Sequence, residues 1–299
     1  MKGGKMSMLE REMRHLAKQA GGAHKTVSDR MAQAKRFCER LVGELNVQIR
    51  YVRHLKARHI EDYIRHRLAQ GIDKRTLQNE MSAIRVILRQ AGREKLADGD
   101  RISNRAVGIG GASRSGARRA IADGKYQTVQ ENARLKDPGL AAALELARLM
   151  GLRSQEAVRC PQSFKTWQQA LARGETRLTV VFGTKGGRPR ETVILDTIAV
   201  KKALENAINI AEQRNGRLID KADLKSAMNY WRGQAGQLGL TGKNTPHSLR
   251  YVWAQDAIRH YLAQGFCKKE ALAMVAMDLG HGDGRGRYVA QVYGLRGED

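Results

Sequence analysis

The sequence predicts a mainly α-helical chain with a small β component, arranged as an N-terminal helical domain followed by an α+β domain. Three observations predict this. Residues 1–105 place apolar side chains at helical spacing. Residues 99–119 are rich in glycine and arginine, which marks a linker. Residues 120–299 mix helical segments with one β-hairpin. The length of 299 residues suits about two domains with separate cores, and the boundaries are drawn at 1–105, 106–119 and 120–299.

The first helix is expected from Ser7 to Ala20, stopped by Gly21 and Gly22. The second runs from Thr26 to Leu45, with Met31, Ala34, Cys38, Leu41 and Leu45 on one apolar face and Gly43 weakening its last turn. Ile60, Tyr63, Ile64 and Leu68 mark a third helix from Ala57 to Ala69. Leu77, Met81, Ile84, Ile87 and Leu88 mark a fourth from Asp73 to Gln90, with Gly71 and Gly92 as the respective stops. After the linker, Gly139 to Leu149 reads as an apolar helix. Two β-branched runs between Leu178 and Leu195, around a glycine-containing turn, read as the hairpin. Helices follow at about 197–212 and 221–237, from His247 to about Leu262, and from Lys268 to Asp278; a short segment with Tyr288 and Tyr293 comes last.

Charge narrows the function. The chain carries 54 Lys and Arg against 30 Asp and Glu, a net charge of +24. Residues 1–105 alone hold 24 against 12. Such an excess points to a polyanion, most simply nucleic acid. No run of about 18 apolar residues and no short apolar core after the N-terminal lysines is present, so neither a membrane span nor a signal peptide is expected. Basic segments here do not combine a charged face with bulky aromatics, which disfavours a membrane-surface protein. Cys38, Cys160 and Cys267 have no metal-ligand spacing and suit buried free thiols in a reducing cytoplasm. The linker glycines follow no strand and lack the lysine of a phosphate-binding loop, which excludes a nucleotide cradle.

Chemistry concentrates near the C-terminus. In Asn244-Thr-Pro-His-Ser-Leu-Arg-Tyr251, Pro246 presets a helix start, and His247 and Arg250 lie three apart on one face. A proton-transfer group and a fixed cation at a helix N-terminus suit one small anionic group such as a phosphate. Three further pieces accompany it: Gly151-Leu-Arg153-Ser-Gln-Glu156, Lys185 in the hairpin turn, and Leu279-Gly-His281 with tyrosines a few residues on. Each has a plainer reading alone. Arg153 can close its helix, Lys185 can be one more charge in a polar turn, and His281 can be a loop residue.

These four pieces, in this order, resemble the tyrosine recombinase (phage integrase) family, and the resemblance covers nearly the whole chain. It implies a helical core-binding domain before the linker and a catalytic domain after it. It implies catalytic roles for Arg153, Lys185, His247, Arg250, His281 and a tyrosine, with Glu156 supporting the fold around the first arginine. By that resemblance the tyrosine attacks a DNA phosphodiester and forms a 3′-phosphotyrosine link. The two arginines fork onto the non-bridging oxygens. His247 assists proton transfer, Lys185 protonates the 5′ leaving oxygen, and His281 hydrogen-bonds the phosphate or holds the tyrosine. Arg188 and Arg190 are expected to touch DNA only.

No cofactor or metal is implied. The implied partners are double-stranded DNA, further copies of the chain in a tetramer on DNA, and DNA-bending accessory proteins, with no membrane; the implied location is cytoplasmic. The alternatives are a topoisomerase of type IB and a decayed DNA-binding protein. The family often places its tyrosine about nine residues after the histidine of Leu-Gly-His, which here is Ala290. Tyr288 and Tyr293 are the candidates, and on one helix they point about 140° apart. Tyr293 is taken as the nucleophile because it follows an apolar Val292 and the longer loop 282–287 gives it reach. A C-terminal helix exchanged between protomers is expected to be absent or very short.

Overall fold

The computed structural model describes residues 6–112 and 119–294. Part of the expected linker, 113–118, and the stretch that would hold a C-terminal tail, 295–299, lie outside the described residues. The chain divides into two units, Met1–Ser113 and Arg114–Asp299.

The first unit is helical. Ser7 caps α1 (Met8–Gln19) by accepting from Glu10 N at 3.1 Å. Next come α2 (His24–Cys38), α3 (Ala57–Ala69), α4 (Lys74–Gln90) and a single turn, α5 (Glu94–Ala97). Their apolar stripes meet in one core, where Leu9, Met13, Phe37, Ile60, Ile84 and Leu88 are buried. The expected second helix changes pitch. From Glu39 to Glu44 it winds as a π-helix, so the 3.6-residue period is lost from Glu39 on. Leu45, expected on the apolar face, is therefore exposed, while Phe37 takes an inward place. The stretch read as linker begins against this core: Ile109 is buried, and Gln78 donates to its carbonyl at 2.8 Å.

The second unit is built around α7 (Pro138–Met150). α6 (Asp123–Lys136) precedes it. Pro138 opens α7, Asp137 accepts from Gly139 N and Leu140 N, and the helix is apolar nearly all round because it is buried nearly all round. Gly151 ends it at φ 59°, where a Cβ would stand 2.6 Å from the Trp253 ring. Two short helices follow, α8 (Ser154–Arg159) and α9 (Phe164–Ala172). β1 (Arg177–Val180) then pairs antiparallel with β2 (Arg190–Val193), Leu178 opposite Thr192. The hairpin is pinned by Trp167 Nε1 donating to Thr179 O at 2.7 Å and by Thr192 Oγ1 donating to Met150 O at 3.1 Å. α10 (Thr197–Glu212), α11 (Leu224–Gln237), α12 (His247–Ala263), α13 (Lys268–Asp278) and α14 (Gly286–Tyr293) complete the unit.

Cys38 and Cys160 are buried free thiols, but Cys267 is exposed. It stands at the N-cap of α13, where its backbone N–H is held by Glu270 at 2.8 Å and its side chain in turn caps the Glu270 backbone. Among the described residues no helix is long and apolar enough to cross a membrane.

Candidate active site

The site starts from one carboxylate. Glu156 is wholly buried in the first turn of α8. It accepts from the Arg153 backbone N–H at 2.8 Å and from Arg153 Nη1 at 2.7 Å. Arg190 forks onto the same carboxylate, through Nη2 at 2.7 Å and Nε at 3.2 Å, and Arg250 Nη1 stands 3.9 Å away. Burial by itself would raise this carboxyl. The cations Arg190, Arg250 and Arg153 outweigh burial and hold it down, to about 2.

Backbone carbonyls place the guanidinium groups. Leu279 O, at the end of α13, accepts from Arg153 Nη2 at 2.8 Å and also from Arg250. Gly151 O accepts from Arg190 Nη2 at 3.2 Å and also from Arg250. Arg250 is entirely buried, and its Nε is a buried donor with no partner. Burial, then the neighbouring Arg190 and Arg153 charges, push its pKa down to about 9, so it stays a cation at neutral pH. Three arginines thus surround a single carboxylate, which leaves positive charge in excess.

Beside them lies a ring cluster. The Tyr293 hydroxyl is 3.3 Å from His281 Nε2 and 3.4 Å from His247 Nε2. Tyr251 packs on the Tyr293 ring at 4.5 Å between centroids. Burial, reinforced by Arg250, Arg153 and Lys185, drives the pKa of His281 down to about 3. His281 is therefore neutral at physiological pH and can either accept or donate at its ring nitrogens. Lys185 is exposed in the hairpin turn. It lines a cleft of about 650 Å³ together with Arg153, Arg188, Gly280 and His281.

The structure thus brings Arg153, His247, Arg250, His281 and Tyr293 together and puts Lys185 on the wall of the adjoining cleft. One expectation needs correction. Arg190 is not a surface residue touching DNA: it is buried, with Glu156, Gly151 O and Asp278 O as acceptors. Its place in β2 opposite Val180 turns it inward, while Arg188 stays exposed in the turn. Tyr288 also lies close to the site. It lies in the first turn of α14, where its ring packs edge-on against His281 at 4.9 Å and lies 6.4 Å from Tyr293.

Sequence reasoning also misses a second buried acid, Asp278, which pairs with Arg177 and accepts from Tyr261. Strand alternation in the hairpin could have pointed to Arg190, but nothing local marks Asp278. Among the described residues, no group of three or more His, Cys, Asp or Glu is placed to hold a metal ion.

Two family models match the chain: "Integrase" over residues 108–256 and "Phage integrase, N-terminal" over residues 6–97. Solved structures share the fold at low identity. The Tn1549 transposon integrase in complex with a circular intermediate DNA is 13% identical, with a TM-score of 0.60 over 99% of this chain and 97% of that one. A lambda integrase tetramer bound to a Holliday junction is 18% identical, with a TM-score of 0.56 over 98% and 78%. XerH site-specific recombinase bound to difH substrate is 13% identical, with a TM-score of 0.56 over 99% and 95%. No curated protein sequence matches significantly. With both of its halves matched by integrase models and its arginine, histidine and tyrosine groups gathered in one place, the chain belongs to the integrase family of tyrosine-type site-specific DNA recombinases.

Proposed function

We propose that Tyr293 cleaves one DNA strand by attacking its phosphodiester, giving a 3′-phosphotyrosine link and a free 5′-hydroxyl, and that a 5′-hydroxyl from a second site reverses the step to rejoin the strand. The observation that carries this reading is the Tyr293 hydroxyl held between His247 and His281, beside a buried Arg250 that keeps an unpartnered donor. A buried cation with an unused N–H is costly unless an anion completes it.

The Tyr293 oxygen–phosphorus bond forms as the phosphorus–5′ oxygen bond breaks. His247 receives the phenol proton, and Lys185 gives a proton to the leaving oxygen. Arg153 and Arg250 meet the non-bridging oxygens as charge builds on them. Neutral His281 donates to the phosphate or orients the tyrosine. Arg188, exposed beside Lys185, contacts the DNA backbone.

In this reading residues 1–105 form the core-binding domain, 106–119 link it and 120–299 catalyse. The partner is double-stranded DNA, as for the relatives solved with DNA. The assembly is a tetramer, as for lambda integrase on a Holliday junction, with DNA-bending proteins as accessories and a cytoplasmic, DNA-associated location. The test is strand exchange between two cognate sites in the presence of EDTA. Recombinant products are expected. Relaxation of supercoiled DNA without exchange contradicts a recombinase, and loss of activity in EDTA contradicts catalysis by the arginines alone.

A further inference from the structure

Lys185 sits in a turn whose tip is loose in sequence, with Gly186 and Gly187 both at φ 71°. The root of that turn is different. Gly183, at φ 81°, lies directly on the backbone of α8: a Cβ there would stand 2.4 Å from Gln155 O, 2.6 Å from Gln155 C and 2.8 Å from Glu156 N. These are main-chain atoms of the helix that holds Glu156, so they cannot move aside without disturbing Arg153. Next to it, the Phe182 ring takes the Arg159 guanidinium at 5.6 Å, which ties the same root to the other end of α8. Thr184 Oγ1 closes the corner on Val181 O at 3.1 Å.

We propose that Gly183, supported by the Phe182–Arg159 stack, is a positioning residue for the general acid: it registers the lysine hairpin to α8 and so sets where the Lys185 ammonium meets the 5′ oxygen. Only Thr184 separates the contact from the lysine, so displacing the root displaces the ammonium. Any side chain at 183 must push the hairpin off by about 1 Å, and a misplacement of that size can cost about a hundredfold in rate. The positive φ adds strain for any residue but glycine. The inference rests on Lys185 being the general acid.

A 5′-bridging sulfur substrate separates the possibilities, because a thiolate leaves without a proton. Gly183→Ala is expected to cleave ordinary DNA about a hundredfold more slowly, to bind it with unchanged affinity, and to recover near wild-type cleavage on the sulfur substrate, as Lys185→Ala does. Arg250→Ala is expected to gain no such recovery. Phe182→Leu leaves the backbone contact in place and gives a smaller loss with the same recovery; it decides the matter if Gly183→Ala fails to fold. Equal slowing of Gly183→Ala or Phe182→Leu on both substrates, or no slowing on either, overturns the positioning role while leaving Lys185 as the acid. Failure of Lys185→Ala itself to recover overturns the acid assignment and this inference together.

Discussion

Each unit contains a buried glutamate shared by several arginines, and the two arrangements differ in what they leave over. In the first unit Glu80 is buried with Tyr63 Oη at 2.8 Å, Arg67 at 2.9 Å and Arg36 at 3.5 Å. Arg36 keeps 43% of its side chain exposed, so water shares its charge, and Arg67 keeps 19%. In the second unit Arg250, Arg190 and Arg153 around Glu156 are only 0%, 3% and 20% exposed. Three cations on one carboxylate, two of them desolvated, are not balanced, and a buried excess of this kind is costly. An arginine-ringed acid is therefore not by itself a sign of function. Surplus buried charge, next to a hydroxyl held by two histidines, is what separates a site from a core ion pair.

The largest expected effect treats the units alike. Both carry a net charge of +12 within the total of +24. If about 6–10 phosphates are neutralised, DNA affinity should fall by roughly a thousandfold or more between about 50 and 200 mM salt. A flat plot of log Kd against log salt rules out binding dominated by phosphate contacts. Arg250→Ala should alter that slope by no more than about 1, since it removes one phosphate contact at most.

Cleavage should separate the two rings. Arg153→Ala or Arg250→Ala is expected to lower single-turnover cleavage by roughly 10²–10³. Lysine should not restore either position, because it lacks the planar fork. Arg67→Ala should leave cleavage by the folded protein unchanged. A comparable loss on removing Arg67 would erase the distinction between the rings. In denaturant melts, Glu156→Gln should cost on the order of 3–5 kcal/mol, since it strands buried cations. Glu80→Gln should cost less, because it strands two cations rather than three and Arg36 is open to water; the reverse order would contradict the account.

The helical frame is legible in the sequence because its apolar stripes are regular and its stops are glycines, as at Gly71 and Gly92. α6 is not, because it buries only Val129, Gln130 and Ala133 and shows no apolar stripe. The π-helical turns at Glu39–Glu44 break a pattern that looks continuous in sequence. Among site residues, Arg153, His247 and Arg250 are visible because they lie at helix starts with recognisable neighbours, and His281 because it follows Leu279-Gly280 in the turn after α13. Arg190 and Asp278 are not, because their partners lie 34 and 101 positions away.

A further expected effect is on acid stability. His281 is held neutral, with its pKa near 3 against an ordinary 6.5, and the Glu156 carboxyl is held near 2 against 4.5. Both folded values are depressed, so the unfolded chain binds more protons in acid. The stabilising contribution of His281 is complete above about pH 6.5 and is lost as pH falls toward 3; that of Glu156 is lost between about 4.5 and 2. Thermal melts should therefore shift down on acidification from pH 7. Replacing His281 with Asn should flatten the upper part of that shift, and an unchanged profile would contradict a neutral buried histidine.

The central claim is that Tyr293 forms the covalent bond. Trapping the protein on a nicked suicide DNA substrate, followed by peptide mapping, tests it most directly. The adduct is predicted on Tyr293, absent from Tyr293→Phe and retained in Tyr288→Phe. An adduct that survives in Tyr293→Phe and disappears in Tyr288→Phe would contradict the account.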